Sequence, residues 1–215
     1  MGTVSDGKRN EVVGSRLSSF EASARHCAAP LRQWRAGVKT PLVAALAVGL
    51  GFAGRGVADG VGVGFAHGQD ANQYGVQVQF DRRAPLKEWS SSDLKLYGII
   101  GVGEFQGRQD GMPRQTIHVL DTTGVLRWEH ARVAGVRPFV DFGFGVGGLS
   151  EKTINGNRDF GGKFEFNELV QTGVRFGSRD QYEFNVRGQH FSNAGLFPPN
   201  DGMTYAGIGF TWYWN

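Results

Sequence analysis

Tyr182-Glu183-Phe184-Asn185-Val186-Arg187-Gly188-Gln189-His190 is the stretch whose reading decides the fold. Tyr182, Phe184, Val186 and His190 share one parity, and Glu183, Asn185, Arg187 and Gln189 share the other. Side chains of an extended chain alternate between two faces, so this run predicts a strand with one apolar and one polar side. A segment rich in Pro, Gly and Asn follows, and alternation resumes from Thr204 to Trp214. There Ala206, Ile208, Phe210, Trp212 and Trp214 oppose Tyr205, Gly207, Gly209, Thr211 and Tyr213.

The same period extends upstream. Phe164, Phe166, Val170, Thr172, Val174 and Phe176 oppose Glu165, Asn167, Gln171 and Arg175, and a tight turn at Gly177-Ser178-Arg179-Asp180 follows. Pro138, Val140, Phe142, Phe144 and Val146 oppose Arg137, Asp141, Gly143, Gly145 and Gly147. Residues 151–161 between these runs read as a polar, Gly-rich loop. The run Thr116–Glu129 loses phase around Asp121-Thr122-Thr123-Gly124, which predicts a bulge or kink. Leu94, Leu96, Ile100 and Val102, then Tyr74, Val76, Val78 and Phe80, then Val61, Val63 and Phe65 mark the remaining strands.

In four of these strands one face is apolar and the other mixes charge with glycine. A water-soluble sandwich would bury the apolar face, but would seldom have so much glycine outside. An eight-stranded antiparallel transmembrane β-barrel over residues 59–215 accounts for both faces: lipid meets the apolar side, and a narrow interior takes glycine and paired charges. Closure also leaves no unpaired edge. Arg137, Asp141, Glu165, Arg175, Glu183 and Arg187 are expected to pair inside as a structural network. Tyr182, Trp212 and Trp214 are expected at the membrane interface. A soluble lipocalin-like barrel, with its apolar residues turned inward, is the competing all-β reading.

Residues 40–54 are apolar and uncharged, follow Arg32, Arg35 and Lys39, and precede small residues at Gly56 and Ala58. That order describes a signal peptide, 38–58, cleaved after Ala58. The polar preface, 1–37, reads as an N-terminal extension or as sequence upstream of a true start near Val38. Beyond the leader remain 15 basic and 17 acidic residues, a net charge of −2, so the basic balance of the whole chain belongs to the leader. Nucleic acid is thereby excluded as a partner class. The single cysteine, Cys27, also lies in the leader, which excludes disulfides and thiolate metal sites from the barrel.

Between the last two strands lies His190-Phe191-Ser192-Asn193-Ala194-Gly195, followed by Pro199-Asn200-Asp201-Gly202. His190 and Ser192 share a strand face, so an imidazole can meet a hydroxyl, the minimum for an activated nucleophile. Their parity is that of Phe184 and Val186, which turns them toward lipid, where polar groups are costly and point to function. Asn193, Asn200 and the Gly195 backbone offer donors for an oxyanion. His118 and His130 lack metal-ligand spacing with other His, Asp or Glu. The Gly-x-Gly pairs lie within strands with no helix after them, which excludes a nucleotide loop.

The quoted motif resembles that of the PagL-type lipid A 3-O-deacylases, outer-membrane acyloxyacyl hydrolases. The likeness runs more loosely over residues 59–215, through Val136-Arg137-Pro138-Phe139-Val140 and the last aromatic strand. It implies a serine esterase of the Gram-negative outer membrane, with Ser192 as nucleophile, His190 as base, and neither cofactor nor metal. The implied partners are lipid A or lipopolysaccharide, other outer-membrane lipids, and a second copy of the chain in a homodimer. The implied reaction removes the ester-linked 3-hydroxyacyl chain at position 3 of lipid A. The family pattern places a Glu where this chain has Thr204. Three substitutes stand open: Glu168, which pairing about a turn at Arg179 sets opposite His190; Asp201, through loop flexibility; and the Thr204 hydroxyl, which orients a ring N–H without charge. The alternative reading is a catalytically impaired structural or lipid-binding barrel.

Overall fold

The computed structural model describes residues 58–214 apart from 70, 82–84, 108–110 and 112. The expected leader, 1–37 and 38–58, lies outside the described residues except for Ala58. Eight long strands run up and down: β1 (Gly60–Gly68), β2 (Ala71–Asp81), β3 (Ser92–Gly107), β4 (Gln115–His130), β5 (Arg137–Leu149), β6 (Phe164–Phe176), β7 (Tyr182–Ser192) and β8 (Met203–Tyr213). Each pairs antiparallel with its neighbours in sequence, and β1 pairs with β8 to close the barrel.

Chain direction divides the ends. One rim carries the start of β1, the end of β8 and the turn 177–181; the opposite rim carries the loops 150–163 and 193–202. Alternation puts the apolar set outside. Phe142 and Phe144 are each 59% exposed, and Phe184, Val186, Ile208 and Phe210 are also exposed. On a water-soluble protein such a continuous apolar band would be untenable; as the wall of a membrane-spanning barrel it faces hydrocarbon. The lipocalin-like reading fails here, because the exposed aromatic band lies on the outside. Tyr182, Trp128, Trp212 and Trp214 gather at the rim that holds the chain's end, with the two C-terminal indoles 5.9 Å apart.

Polar groups fill much of the interior, and the charges at its centre pair with one another. Arg127 donates bidentately to Asp141 through Nε and Nη2, both at 2.8 Å, and through Nη1 to Glu183 at 2.7 Å. Its guanidinium also stacks 3.7 Å from the centre of the Phe139 ring. Glu129 accepts from Lys95 (2.8 Å) and Arg137 (3.0 Å) and reaches Arg175 at 3.5 Å. Fork geometry and multiple partners are what make charges tolerable in so dry a place. Above this lies an amide layer in which Gln189 donates to Asn167, and Asn167 donates to Thr123. Arg187 crosses the lumen to Gln77 at 3.1 Å. Gly64 leaves the space it needs, because a Cβ there would fall 1.6 Å from Arg187 Nη2.

Two expectations are corrected inside the barrel. The predicted bulge near Asp121 is absent: β4 pairs in unbroken register with β3 from Gln115 to His130. Phase faded in the sequence because Asp121 and Thr123 face the lumen while Thr122 faces out, so both sides are polar there. Arg127 and Glu129, which alternate with the outward Leu126 and Trp128, also face the lumen, and the sequence reading did not single them out. Glu165 does not join the network; it is buried with neither carboxylate oxygen hydrogen-bonded among the described residues.

Toward the rim with the long loops the lumen becomes apolar. Phe105, Phe191, Met203 and Tyr205 pack there with Ile154 and Phe160 from the loop 150–163. That loop, expected to be merely polar, forms a small ladder of Thr153–Ile154 against Arg158–Asp159 and lowers two apolar side chains into the barrel.

Candidate active site

The site begins from Phe191, fully buried in the apolar plug with its ring 5.2 Å from that of Phe105. A strand that commits Phe191 inward must turn His190 and Ser192 outward, and a one-residue slip would reverse all three. Both are half-buried on the outer wall, at the end of β7.

Register supplies their neighbours. His190 stands between Glu168 on β6 and Thr204 on β8, so the three form one outward row across three strands. Its Nδ1 lies 2.7 Å from Thr204 Oγ1. Glu168 is the directly opposite residue that the turn arithmetic predicts, yet no hydrogen bond joins it to His190 among the described residues. Thr204 is fixed in turn, its backbone N–H donating to Gln69 Oε1 at 2.8 Å. On the ring's other edge sits Gly202, with φ of +56°; a Cβ there would come 3.2 Å from His190 Cε1 and 3.5 Å from Nε2. A side chain at 202 would therefore be strained and would crowd the imidazole.

Ser192 pairs across the β6–β7 ladder with Phe166. Phe166 stacks against Phe144 at 5.8 Å and meets Phe164 edge-on at 5.4 Å. An apolar aromatic platform thus adjoins the hydroxyl on the lipid face. Sequence reading placed these phenylalanines outside but could not know which of them would neighbour Ser192, because register between strands decides that.

The loop after Ser192 is tightly held. Ala194 and Gly195 both have positive φ, and Leu196 N–H closes the turn onto Asn193 O at 3.1 Å. Asn193 is fully buried: its side-chain amide donates to Phe197 O (2.9 Å) and Phe160 O, and its backbone N–H donates to Asn200 Oδ1 (2.9 Å). Asn193 therefore spends its donors on the loop. Asn200, held by its oxygen, keeps its Nδ2 as a donor, and the Gly195 N–H carries no hydrogen bond among the described residues. Asp201, the other acid weighed for His190, accepts from Asp159 N–H at 2.7 Å, while Arg158 donates to the carbonyls of Asp201 and Gly202. These contacts clamp loop 193–202 onto loop 150–163, an association without a short-range signal beyond Ile154 and Phe160. His118 and His130 have local partners, Glu104 at 3.6 Å and the Ala131 carbonyl at 2.9 Å. Among the described residues no three His, Cys, Asp or Glu are grouped as metal ligands.

Fold and site together define a membrane-spanning β-barrel with an imidazole between a threonine hydroxyl and a carboxylate in one outward row, and a serine two residues along the same strand face. The family model of lipid A 3-O-deacylase (PagL) matches residues 72–213, and the chain belongs to that family. It is 28% identical over 138 residues to the lipid A deacylase PagL of Pseudomonas aeruginosa, covering 64% of this chain and 76% of that protein. The crystal structure of the outer membrane enzyme PagL shares the fold, with a TM-score of 0.62 at 24% identity over 71% of this chain and 98% of the other.

Proposed function

We propose that this protein is an outer-membrane serine esterase that removes the ester-linked 3-hydroxyacyl chain from position 3 of lipid A. The observation that carries the reading is the outward row at the end of β7, where His190 and Ser192 emerge on the same lipid-facing wall. A soluble esterase must lift its substrate out of the bilayer; here the acyl chains already lie along the surface that bears the hydroxyl.

In this mechanism Ser192 Oγ attacks the ester carbonyl while its proton passes to His190 Nε2. The tetrahedral oxyanion is held by the Gly195 N–H and Asn200 Nδ2, with Asn193 keeping their loop in shape. Collapse breaks the bond to the sugar oxygen, which takes the proton from His190, and leaves the acyl chain on Ser192. Water, deprotonated by His190, then cleaves the acyl-enzyme, so that ester plus water gives a 3-hydroxy acid and a sugar hydroxyl. Phe166, with Phe144 and Phe164 beside it, supports the departing chain.

Mass spectrometry of lipid A from cells expressing the protein tests this, with Ser192→Ala and His190→Ala as controls. Loss of one 3-hydroxyacyl mass with the wild type alone is expected. Unchanged lipid A with the wild-type barrel inserted, or continued loss with either variant, refutes the assignment. The Thr204 position favours one second reading, a barrel that binds lipid A without cleaving it, and an unchanged spectrum with retained lipid A binding would select it.

A further inference from the structure

We propose that the Thr204 hydroxyl is the positioning group for His190, accepting the ring Nδ1–H and so fixing Nε2 as the basic nitrogen. The inference rests on the esterase reading for its consequence, and on geometry for the contact itself. Nδ1 and Oγ1 are 2.7 Å apart, within the range of a well-formed hydrogen bond. The two residues are direct cross-strand partners on β7 and β8, so the backbone ladder sets their separation.

The contact also decides between the two neighbours of His190. A ring nitrogen bearing hydrogen makes one strong bond, and Nδ1 has spent it on Thr204. Glu168, on the opposite side of the row, is therefore not the Nδ1 acceptor. Gly202 borders the other edge: with no side chain there, Cε1 and Nε2 stay open. Orientation is thus achieved by a neutral group. It holds the tautomer that a base needs, but supplies no negative charge as the imidazolium forms.

Two measurements on the full-length barrel in detergent micelles test this. The first is nitrogen NMR of histidine-labelled protein, with the His190 signal identified through His190→Gln. The wild type and Thr204→Ser are expected to show the Nδ1–H tautomer, and Thr204→Val a mixture. An Nε2–H tautomer in the wild type, or a Thr204→Val spectrum identical to it, overturns the proposal whether or not the protein cleaves lipid A. The second measurement is acyl-chain release from lipid A. Thr204→Val is expected to lower kcat roughly tenfold, the scale of one neutral hydrogen bond, with KM unchanged. Thr204→Ser is expected to restore it, and Glu168→Gln to stay within about twofold of wild type. Equal impairment of the Ser and Val variants, or a larger loss in Glu168→Gln than in Thr204→Val, overturns it. Absence of release from the wild type with the Nδ1–H tautomer intact refutes the esterase reading and leaves the contact standing.

Discussion

At the residue scale the chemistry narrows to the neighbour of one imidazole. Thr204 and His190 meet at 2.7 Å, so the ring is oriented, but its partner is uncharged. Replacing a triad carboxylate by a neutral group can cost about 10⁴ in turnover in a serine hydrolase. Restoring charge at this point should recover part of such a deficit. Thr204→Glu is expected to raise kcat for acyl-chain release by at least about tenfold, an increment well inside that range. Steady-state kinetics on purified barrel would show it; an unchanged kcat would mean that charge beside Nδ1 does not limit the reaction. Asn193 teaches a different lesson. Read in the sequence as an oxyanion donor, it is found with its amide hydrogens directed to Phe160 and Phe197 carbonyls. The residue serves the site by holding it together.

At the element scale two loops act as one. The turn at Asn193–Leu196 and the ladder of Thr153–Ile154 with Arg158–Asp159 are joined through Asn193, Asp201 and Arg158. Two apolar anchors, Ile154 and Phe160, drop into the plug beneath them. Removing the buried amide leaves two carbonyls unsatisfied and cuts the link to Phe160. Asn193→Ala should therefore loosen loop 194–200 by about 2 kcal/mol, one net hydrogen bond for each carbonyl. Limited proteolysis is expected to cut that loop on the order of tenfold faster than in wild type, with the barrel itself resistant. Equal cleavage rates would show that the apolar anchors alone hold the loops.

At the scale of the whole molecule the barrel is inverted relative to a soluble protein. Buried charge is confined to a lumen where Arg127, Asp141 and Glu183 satisfy one another, and the aromatic band lies outside. The outer face of β5 provides the direct test. Phe142 sits mid-strand and exposed on that face, so Phe142→Arg should destabilise the folded barrel in liposomes by about 2–4 kcal/mol, the cost of a cation near the bilayer midplane. Phe142→Leu should be close to neutral. Urea unfolding in lipid vesicles measures both, and an arginine tolerated as well as leucine would place β5 away from hydrocarbon.

The sequence by itself determined the period, and with it the fold. Eight alternating runs, four of them with glycine and charge on one face, admit few structures other than a lipid-embedded barrel, since strand geometry makes facing a property of odd and even numbering. The same parity made His190 and Ser192 outward neighbours, and a turn near Arg179 set Glu168 opposite His190. Where both faces are polar, as around Asp121, parity carried no information; Arg127 alternates cleanly with Leu126 and Trp128, and what stayed hidden was which acids it would meet across the lumen. Contacts between side chains were decided only in three dimensions. Pairing places Glu168 and Thr204 equally beside His190, and the side-chain contact is made to Thr204. Loop 150–163 meets loop 193–202 because the barrel brings distant strand ends to one rim, and no local pattern in either loop encodes that meeting.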